Sequence, residues 1–214
     1  MAIAARWFVC AAVLSGAFAL PLSAAAPPEW TPLFDGKSLD GWQEAPFPGR
    51  GTVEARDGTI QLGSGAMTGI RRASGDAPKF PKSGYEIRFE AARLEGKDFF
   101  AGLVFPVNDT YCSWINGGWD GTVVGLSNLD GDDASENETS TVRDFVKGRW
   151  YRFRLAVTER RIQAWIDDAV VIDVDITGRK VGLRFDDTDL CKPLGFVSYR
   201  TVAGLRKIEY RLLR

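Results

Sequence analysis

The sequence lacks histidine altogether and has only three cysteines among its 214 residues. Without histidine, active sites of the Ser-His-Asp and Cys-His types and all metal sites with histidine ligands are excluded. Three cysteines are also too few for a four-cysteine zinc site or iron–sulfur cluster. An enzyme of this composition has to work with carboxylates, lysine, arginine, tyrosine, serine or a metal ion bound by oxygen atoms.

An excess of charge of one sign is also absent, since the chain has 27 basic and 28 acidic side chains. The basic residues form no stripe, so we expect no nucleic-acid partner. Hydrophobic residues make up 45% of the chain and charged residues 26%, as in globular proteins and unlike disordered or fibrous ones. The length predicts one domain.

Long hydrophobic runs are limited to the start of the chain. Arg6 precedes an apolar run at residues 7–20, and the small residues 23–26 form a cleavage site of the A-x-A type. This pattern predicts a signal peptide at residues 1–26 and a single domain at residues 27–214, with an uncleaved N-terminal anchor as the alternative. Because the run is short for a membrane span, we expect an exported protein, periplasmic or extracellular, without a transmembrane anchor after cleavage.

Two cysteines, Cys112 and Cys191, would remain after that cleavage. In an oxidising compartment they could form a disulfide. The alternative is a pair of buried thiols, since Cys112 lies among apolar residues. The sequence leaves both open.

Alternation of apolar and polar residues with a period of two recurs along the chain. It is clearest at residues 85–91, 150–157 and 162–166, where one face of each segment is apolar. Such segments predict strands with one buried face. Asp57-Gly58 and Asp167-Asp168 each separate two such segments, as the turn of a two-residue β-hairpin does. The fold class that follows is all-β, an antiparallel jelly-roll sandwich of two sheets.

An acidic segment at residues 130–138 carries five carboxylates. Asp130, Asp132 and Asp133 are candidate oxygen ligands for a structural calcium ion, and a solvated acidic loop is the alternative. Glu136 and Glu138 would share one face if the segment were extended. Paired carboxylates are the acid and nucleophile of many glycosidases, so these two are candidate catalytic residues, although such pairs are also common on exposed strands.

Aromatic and amide side chains around Trp119 predict a carbohydrate contact. Trp119 offers a flat apolar surface for a sugar ring, Asn116 can hydrogen-bond its hydroxyls, and Asp120 is a candidate acid or base. Trp165 is a second candidate platform, and Arg143 could orient a carboxylate or a hydroxyl. The alternative is that the tryptophans belong to the core or cover a hairpin.

The segment Trp30–Trp42 has the sequence WTPLFDGKSLDGW, and shorter matches follow at residues 57–60, 85–90, 102–103 and 204–210. Together they resemble the 3-keto-disaccharide hydrolase domain family over most of residues 29–214. The resemblance implies an exported sandwich like concanavalin A with a carbohydrate ligand. It also implies hydrolysis or elimination at the glycosidic bond of a 3-keto sugar, where the ketone acidifies the neighbouring C–H.

Together, the residues and the resemblance imply an exported hydrolase of glycosides or 3-keto-glycosides that requires no cofactor. Its catalytic candidates are Asp120, Glu136 and Glu138. The first alternative is a non-catalytic, lectin-like carbohydrate-binding module of the cell envelope. The second is a structural or adhesion domain.

Overall fold

The structure is a computed structural model that describes residues 29–73, 80–184 and 188–213. The predicted signal peptide at residues 1–26 lies outside the described residues, so it stays a prediction. Within the described ranges, no helix is long and apolar enough to cross a membrane.

Strands make up nearly all of the regular structure, and a short 3₁₀ turn at Asp189–Cys191 is the one helical element in the described part of the chain. The strands are β1 (Thr31–Pro32), β2 (Trp42–Glu44), β3 (Val53–Arg56), β4 (Thr59–Leu62), β5 (Thr68–Arg72), β6 (Tyr85–Glu95), β7 (Gly102–Val107), β8 (Thr110–Gly118), β9 (Val123–Ser127), β10 (Thr141–Val142), β11 (Trp150–Val157), β12 (Arg161–Ile166), β13 (Ala169–Asp175), β14 (Gly195–Ser198) and β15 (Val202–Leu212).

The strands form two antiparallel sheets. Sheet A has the order β13-β12-β11-β6-β15-β4-β3, with β1 also paired to β15. Sheet B has the order β10-β9-β8-β7-β14-β5-β2. Neighbours in a sheet are often distant in sequence, as in jelly-roll connections. The predicted all-β sandwich of two antiparallel sheets is confirmed.

Both predicted hairpin turns are present. Asp57 and Gly58 join β3 to β4 with φ angles of 48° and 75°. Asp167 and Asp168 join β12 to β13 with φ angles of 50° and 69°. Two consecutive positive φ angles define the type I′ turn, whose twist matches that of the strands it connects.

Aromatic side chains from both sheets pack together in the core. Phe89 of β6 stacks on Phe153 of β11 with ring centroids 4.9 Å apart. From sheet B, Trp114 lies edge-on to Phe153 at 5.6 Å, and Phe196 lies edge-on to Phe89 at 4.9 Å. Burying one side chain of this size contributes about 1.5–3 kcal/mol. These contacts join the two sheets, so the predicted apolar faces meet.

The two cysteines lie on opposite faces of sheet B. Cys112 is part of the main core, and Cys191 belongs to a second small cluster with Phe47, Val104 and Val197. Both are free thiols, so the buried-thiol alternative holds in this structure. Burial raises the pKa of each thiol to about 12, which keeps both protonated at neutral pH.

Candidate functional site

A pocket of about 350 Å³ lies on the outer face of sheet B, the face turned away from the main core. The floor of the pocket is formed by β8, whose side chains point alternately into the core and outwards. Because Cys112 and Trp114 point into the core, Ser113 and Ile115 point outwards. Ser127 of β9 lies beside Ser113 in register, and the Ser113 hydroxyl donates a hydrogen bond of 2.8 Å to the Ser127 carbonyl. We call this site the Trp119 pocket.

Aromatic side chains form its walls. Trp119, in the turn after β8, lines the pocket and keeps 39% of its surface exposed. Phe99 and Tyr199 also line it, and their rings stack on each other at 5.8 Å. The Tyr199 amide N–H donates to the Phe99 carbonyl at 3.0 Å, which fixes the two segments together. The walls therefore offer flat apolar surfaces beside polar edges, the mixture that sugar rings require.

Few charged groups line the pocket. Among the lining residues that the structure describes, Asp98 is the single carboxylate and Arg184 the single cation. The Asp98 carboxylate accepts the Phe99 amide at 2.8 Å, and its own amide donates to the Thr201 hydroxyl at 3.1 Å. These bonds hold Asp98 at the pocket wall while leaving acceptor capacity on its carboxylate.

The Arg184 guanidinium lies 5.9 Å from the centre of the Trp119 ring and 3.4 Å from the Asp133 carboxylate. Thr188 is 97% buried in the lining, and its hydroxyl has no hydrogen-bond partner among the described residues. A buried polar group without a partner is costly. The Thr188 hydroxyl oxygen is enclosed by its neighbours and has almost no accessible surface towards the pocket.

Of the residues predicted around Trp119, only Trp119 itself lines the pocket. The Asp120 side chain is 81% exposed and pairs with Lys97 at 2.8 Å. The hydrogen bond from Lys97 lowers the pKa of Asp120, so this carboxylate is ionised and solvated. Asn116 shares the inward face of Trp114, is fully buried, and donates to the Ala101 carbonyl at 2.9 Å. Because Asn116 points inwards, it does not contact a ligand in the pocket as predicted.

Trp165 and Arg143 belong to other parts of the molecule. Trp165 lies on the outer face of sheet A, where the Arg154 guanidinium covers its ring at 3.6 Å. It lines a separate groove of about 620 Å³ together with Trp30. Arg143 is 3.4 Å from the Asp167 carboxylate and does not line the Trp119 pocket. The structure therefore brings neither residue to Trp119.

The acidic segment is a sequence of turns at residues 134–139 and not an extended strand. The reason is Asn137, whose buried amide donates to the Leu126 carbonyl at 2.7 Å and to the Asp133 carbonyl at 2.7 Å. Glu136 and Glu138 are exposed and line none of the pockets described above. The segment is therefore not extended, as the prediction for Glu136 and Glu138 assumed.

Two of the three candidate calcium ligands, Asp130 and Asp133, accept hydrogen bonds from different parts of the protein. Asp130 accepts from Arg179 at 2.5 Å and from the Lys180 amide at 2.8 Å. Asp133 accepts from the Ser135 amide and hydroxyl at 2.8 and 2.7 Å, and Asp132 is exposed. Across the described ranges, no group of three or more metal-ligating side chains lies close enough to hold a metal ion.

Removing the Arg179 guanidinium is expected to make the thermal stability of the protein depend less on pH at acid pH. The Lys180 amide and Arg179 lower the pKa of Asp130 below its ordinary 3.8, and Arg179 lowers the pKa of Glu138 below its ordinary 4.5. A lowered folded-state pKa stabilises the protein above the ordinary value, and this contribution is lost as pH falls through the lowered one. From about pH 5 downwards, the thermal midpoint of the unmodified protein should therefore fall more steeply than that of Arg179→Met.

The matched control is Arg56→Met, which breaks an exposed ion pair of 3.4 Å with Asp57. Exposed pairs contribute little, so this variant should keep the original slope. If the thermal midpoints of the unmodified protein and Arg179→Met fell equally steeply with pH, Arg179 would not be the group that stabilises the ionised Asp130 and Glu138.

Several lining residues lie outside the sequence motifs described above. Ser113 and Ile115 could have been found from the alternation within β8, once Trp114 is assigned to the core. Asp98 and Phe99 follow a turn after β6, but nothing local in the sequence brings them to Trp119. Tyr199 comes from the far end of the chain, and only the pairing of β14 with β7 places it here.

Comparison with known families and structures places the chain among carbohydrate-related proteins. A model of the 3-keto-alpha-glucoside-1,2-lyase-like domain matches residues 29–188. No curated protein sequence matches the chain.

Solved structures share the fold at low sequence identity. A Crh5 transglycosylase in complex with NAG has a TM-score of 0.58 at 15% identity, covering 88% of this chain and 85% of its own. An endo-acting O-glycanase of the human gut microbiota has a TM-score of 0.55 at 11% identity, covering 86% and 100%. The carbohydrate-binding module CBM66 from Bacillus subtilis has a TM-score of 0.51 at 12% identity, covering 80% and 95%. Enzymes and binding modules therefore share this sandwich, and the fold alone does not separate them.

Proposed function

The chain belongs to the 3-keto-alpha-glucoside-1,2-lyase-like domain family, and from that premise we propose that it cleaves a 3-keto glycoside in the Trp119 pocket by elimination. One observation carries the proposal: a pocket with aromatic walls that is lined by a single carboxylate, Asp98, and a single guanidinium, Arg184, within the described residues. The earlier candidates Asp120, Glu136 and Glu138 do not line this pocket.

Elimination needs only one base. The ketone at C3 acidifies the hydrogen at C2, and the Asp98 carboxylate takes that proton. The C–H electron pair forms an enolate, which collapses as the double bond between C1 and C2 forms and the bond from C1 to the leaving oxygen breaks. The leaving oxygen takes a proton, so no water is consumed in this step. Addition of water across the new double bond would complete a net hydrolysis.

Direct hydrolysis by a pair of carboxylates fits the pocket less well. Retaining glycosidases place two carboxyl groups about 5–5.5 Å apart, and inverting ones about 6.5–9.5 Å apart. Asp98 has no second carboxylate facing it among the lining residues that the structure describes. A single base therefore favours proton abstraction beside a ketone over that two-acid mechanism.

The other lining groups have roles that follow from their chemistry. Arg184, held near the Trp119 ring, is the group able to stabilise the enolate oxygen at C3. The Tyr199 phenol can donate a proton to the leaving oxygen. Trp119 supplies the surface on which the ring stacks.

A non-catalytic sugar-binding module is the second candidate. The fold of CBM66 and the aromatic walls favour it, since neither requires a base. We also propose that the predicted signal peptide exports the chain, so that it would meet its sugar outside the cytoplasm in either case.

The test is incubation of the purified protein with an aryl 3-keto-glucoside, with the released phenol followed by its absorbance and the sugar product by mass spectrometry. Phenol release with a sugar product one water lighter than the hydrolysed sugar supports elimination. Binding in isothermal titration without phenol release supports the second candidate, and neither binding nor release contradicts both.

A further inference from the structure

Arg93 is an arginine at an inward-facing position of sheet A. On β6 it continues the row of Phe89 and Ala91, which belong to the core, and it is only 7% exposed. Burying a guanidinium is costly unless its N–H groups are bound. Its position near the end of β6 therefore calls for a specific partner.

That partner is the turn that carries Trp119. The Arg93 Nη2 atom donates to the Gly121 carbonyl at 2.8 Å and more weakly to the Gly117 carbonyl at 3.4 Å. These two carbonyls lie on either side of Trp119 in the chain. The planar guanidinium also lies over the rings of Phe100 and Phe145, at 5.2 and 5.8 Å from their centres. Arg93 thus joins the core of sheet A to the rim of a pocket on sheet B.

The turn itself has a backbone that needs support. Trp119 and Asp120 have φ angles of 47° and 63°, in the left-handed region that costs about 1 kcal/mol or more for residues other than glycine. Gly117 and Gly121 flank them with φ angles of 79° and 112°. A conformation of this kind persists when surrounding groups hold it, and Arg93 binds both of its ends.

The fit around the guanidinium is close. A Cβ atom at Gly117 would lie 2.5 Å from Arg93 Nη2, and one at Gly121 would lie 2.3 Å from the Lys97 carbonyl. The turn therefore packs closely against the Arg93 guanidinium at Gly117 and against the Lys97 carbonyl at Gly121. A side chain at either glycine would therefore not fit without moving these groups.

We propose that Arg93 is a positioning residue that holds the Trp119 turn in the geometry needed to stack a sugar ring. This inference rests on the proposed function of the Trp119 pocket. Arg93 does not line the pocket, so its effect reaches the ligand through the two carbonyls and Trp119. Lysine keeps the charge but lacks the planar guanidinium that lies over the rings of Phe100 and Phe145 while it donates to the carbonyls.

The experiment compares Arg93→Lys and Arg93→Gln with the unmodified protein, each labelled with 5-fluorotryptophan and studied by ¹⁹F NMR well below its own unfolding midpoint. Trp119→Phe assigns the Trp119 signal. We expect the Trp119 signal to shift or broaden in both Arg93 variants while the Trp165 signal stays in place. We expect KM for the aryl 3-keto-glucoside to rise about threefold to tenfold, as for loss of one hydrogen bond, with a smaller change in kcat.

Arg154→Lys is the matched control, because Arg154 also covers an aromatic ring but lies on the outer face of sheet A. It should move the Trp165 signal and leave KM unchanged. An unmoved Trp119 signal in folded Arg93→Lys would overturn the inference, as would an equal rise in KM for Arg154→Lys. If Trp119→Phe and Trp119→Ala both turn over normally, the pocket assignment fails, and the NMR comparison still decides the role of Arg93.

Discussion

Asp98→Asn is expected to lower kcat for a 3-keto glycoside by about 10²–10⁴-fold, the range contributed by a positioned general base. Asparagine keeps the size of the side chain and can still accept the Phe99 amide bond of 2.8 Å, so the pocket wall should keep its shape. Because only the basic carboxylate is lost, KM should change little. Steady-state kinetics with the aryl 3-keto-glucoside measures both constants.

Asp120→Asn is the matched control for this prediction. Asp120 is 81% exposed, pairs with Lys97, and lies between Trp119 and Gly121 in the same turn. Loss of an exposed ion pair changes little, so kcat should stay within about twofold. A large loss of kcat in Asp120→Asn together with a normal kcat in Asp98→Asn would show that Asp120, and not Asp98, is the base.

Trp119→Ala is expected to weaken sugar binding by about 2 kcal/mol, or roughly thirtyfold, as for an aromatic residue at the centre of a binding site. The indole is the largest aromatic surface of the pocket that remains exposed, at 39%. Its loss removes the stacking surface and leaves Asp98 in place. Isothermal titration with the Asp98→Asn background prevents turnover and so measures affinity alone.

Trp165→Ala serves as the control on the other sheet. The Trp165 ring is covered by Arg154 at 3.6 Å, so its loss should lower thermal stability and leave affinity within about threefold. An unchanged affinity in Trp119→Ala would show that the ligand does not stack there. A larger loss of affinity in Trp165→Ala than in Trp119→Ala would move the site to the groove on sheet A.

The fold could be predicted from the sequence because its determinants are local. Alternation with a period of two marks β6, β11 and β12, and the Asp57-Gly58 turn fixes the register of β3 against β4. The family could also be predicted, since the segment Trp30–Trp42 is continuous in the chain. The prediction that Trp119 is exposed could be made because it lies in a glycine-rich turn, and the structure places it in the wall of a pocket.

The rest of the site could not be predicted, because strand pairing across the sandwich decides it. Asp98 reaches the pocket only because the turn after β6 lies next to the turn after β8. Asn116 had the right chemistry, but its position in β8 turns it inwards with Trp114. The acidic segment misled for a related reason, since the buried Asn137 amide bends it into turns that are held by backbone carbonyls.

The most direct test of the account uses an aryl 3-keto-glucoside with deuterium at C2. Loss of deuterium to solvent is measured alongside phenol release, and Asp98→Asn incubated in parallel gives the background exchange beside the ketone. Elimination at the Trp119 pocket predicts one deuterium lost for each phenol released, with both processes suppressed in Asp98→Asn. Phenol release with deuterium retained at C2 would contradict it.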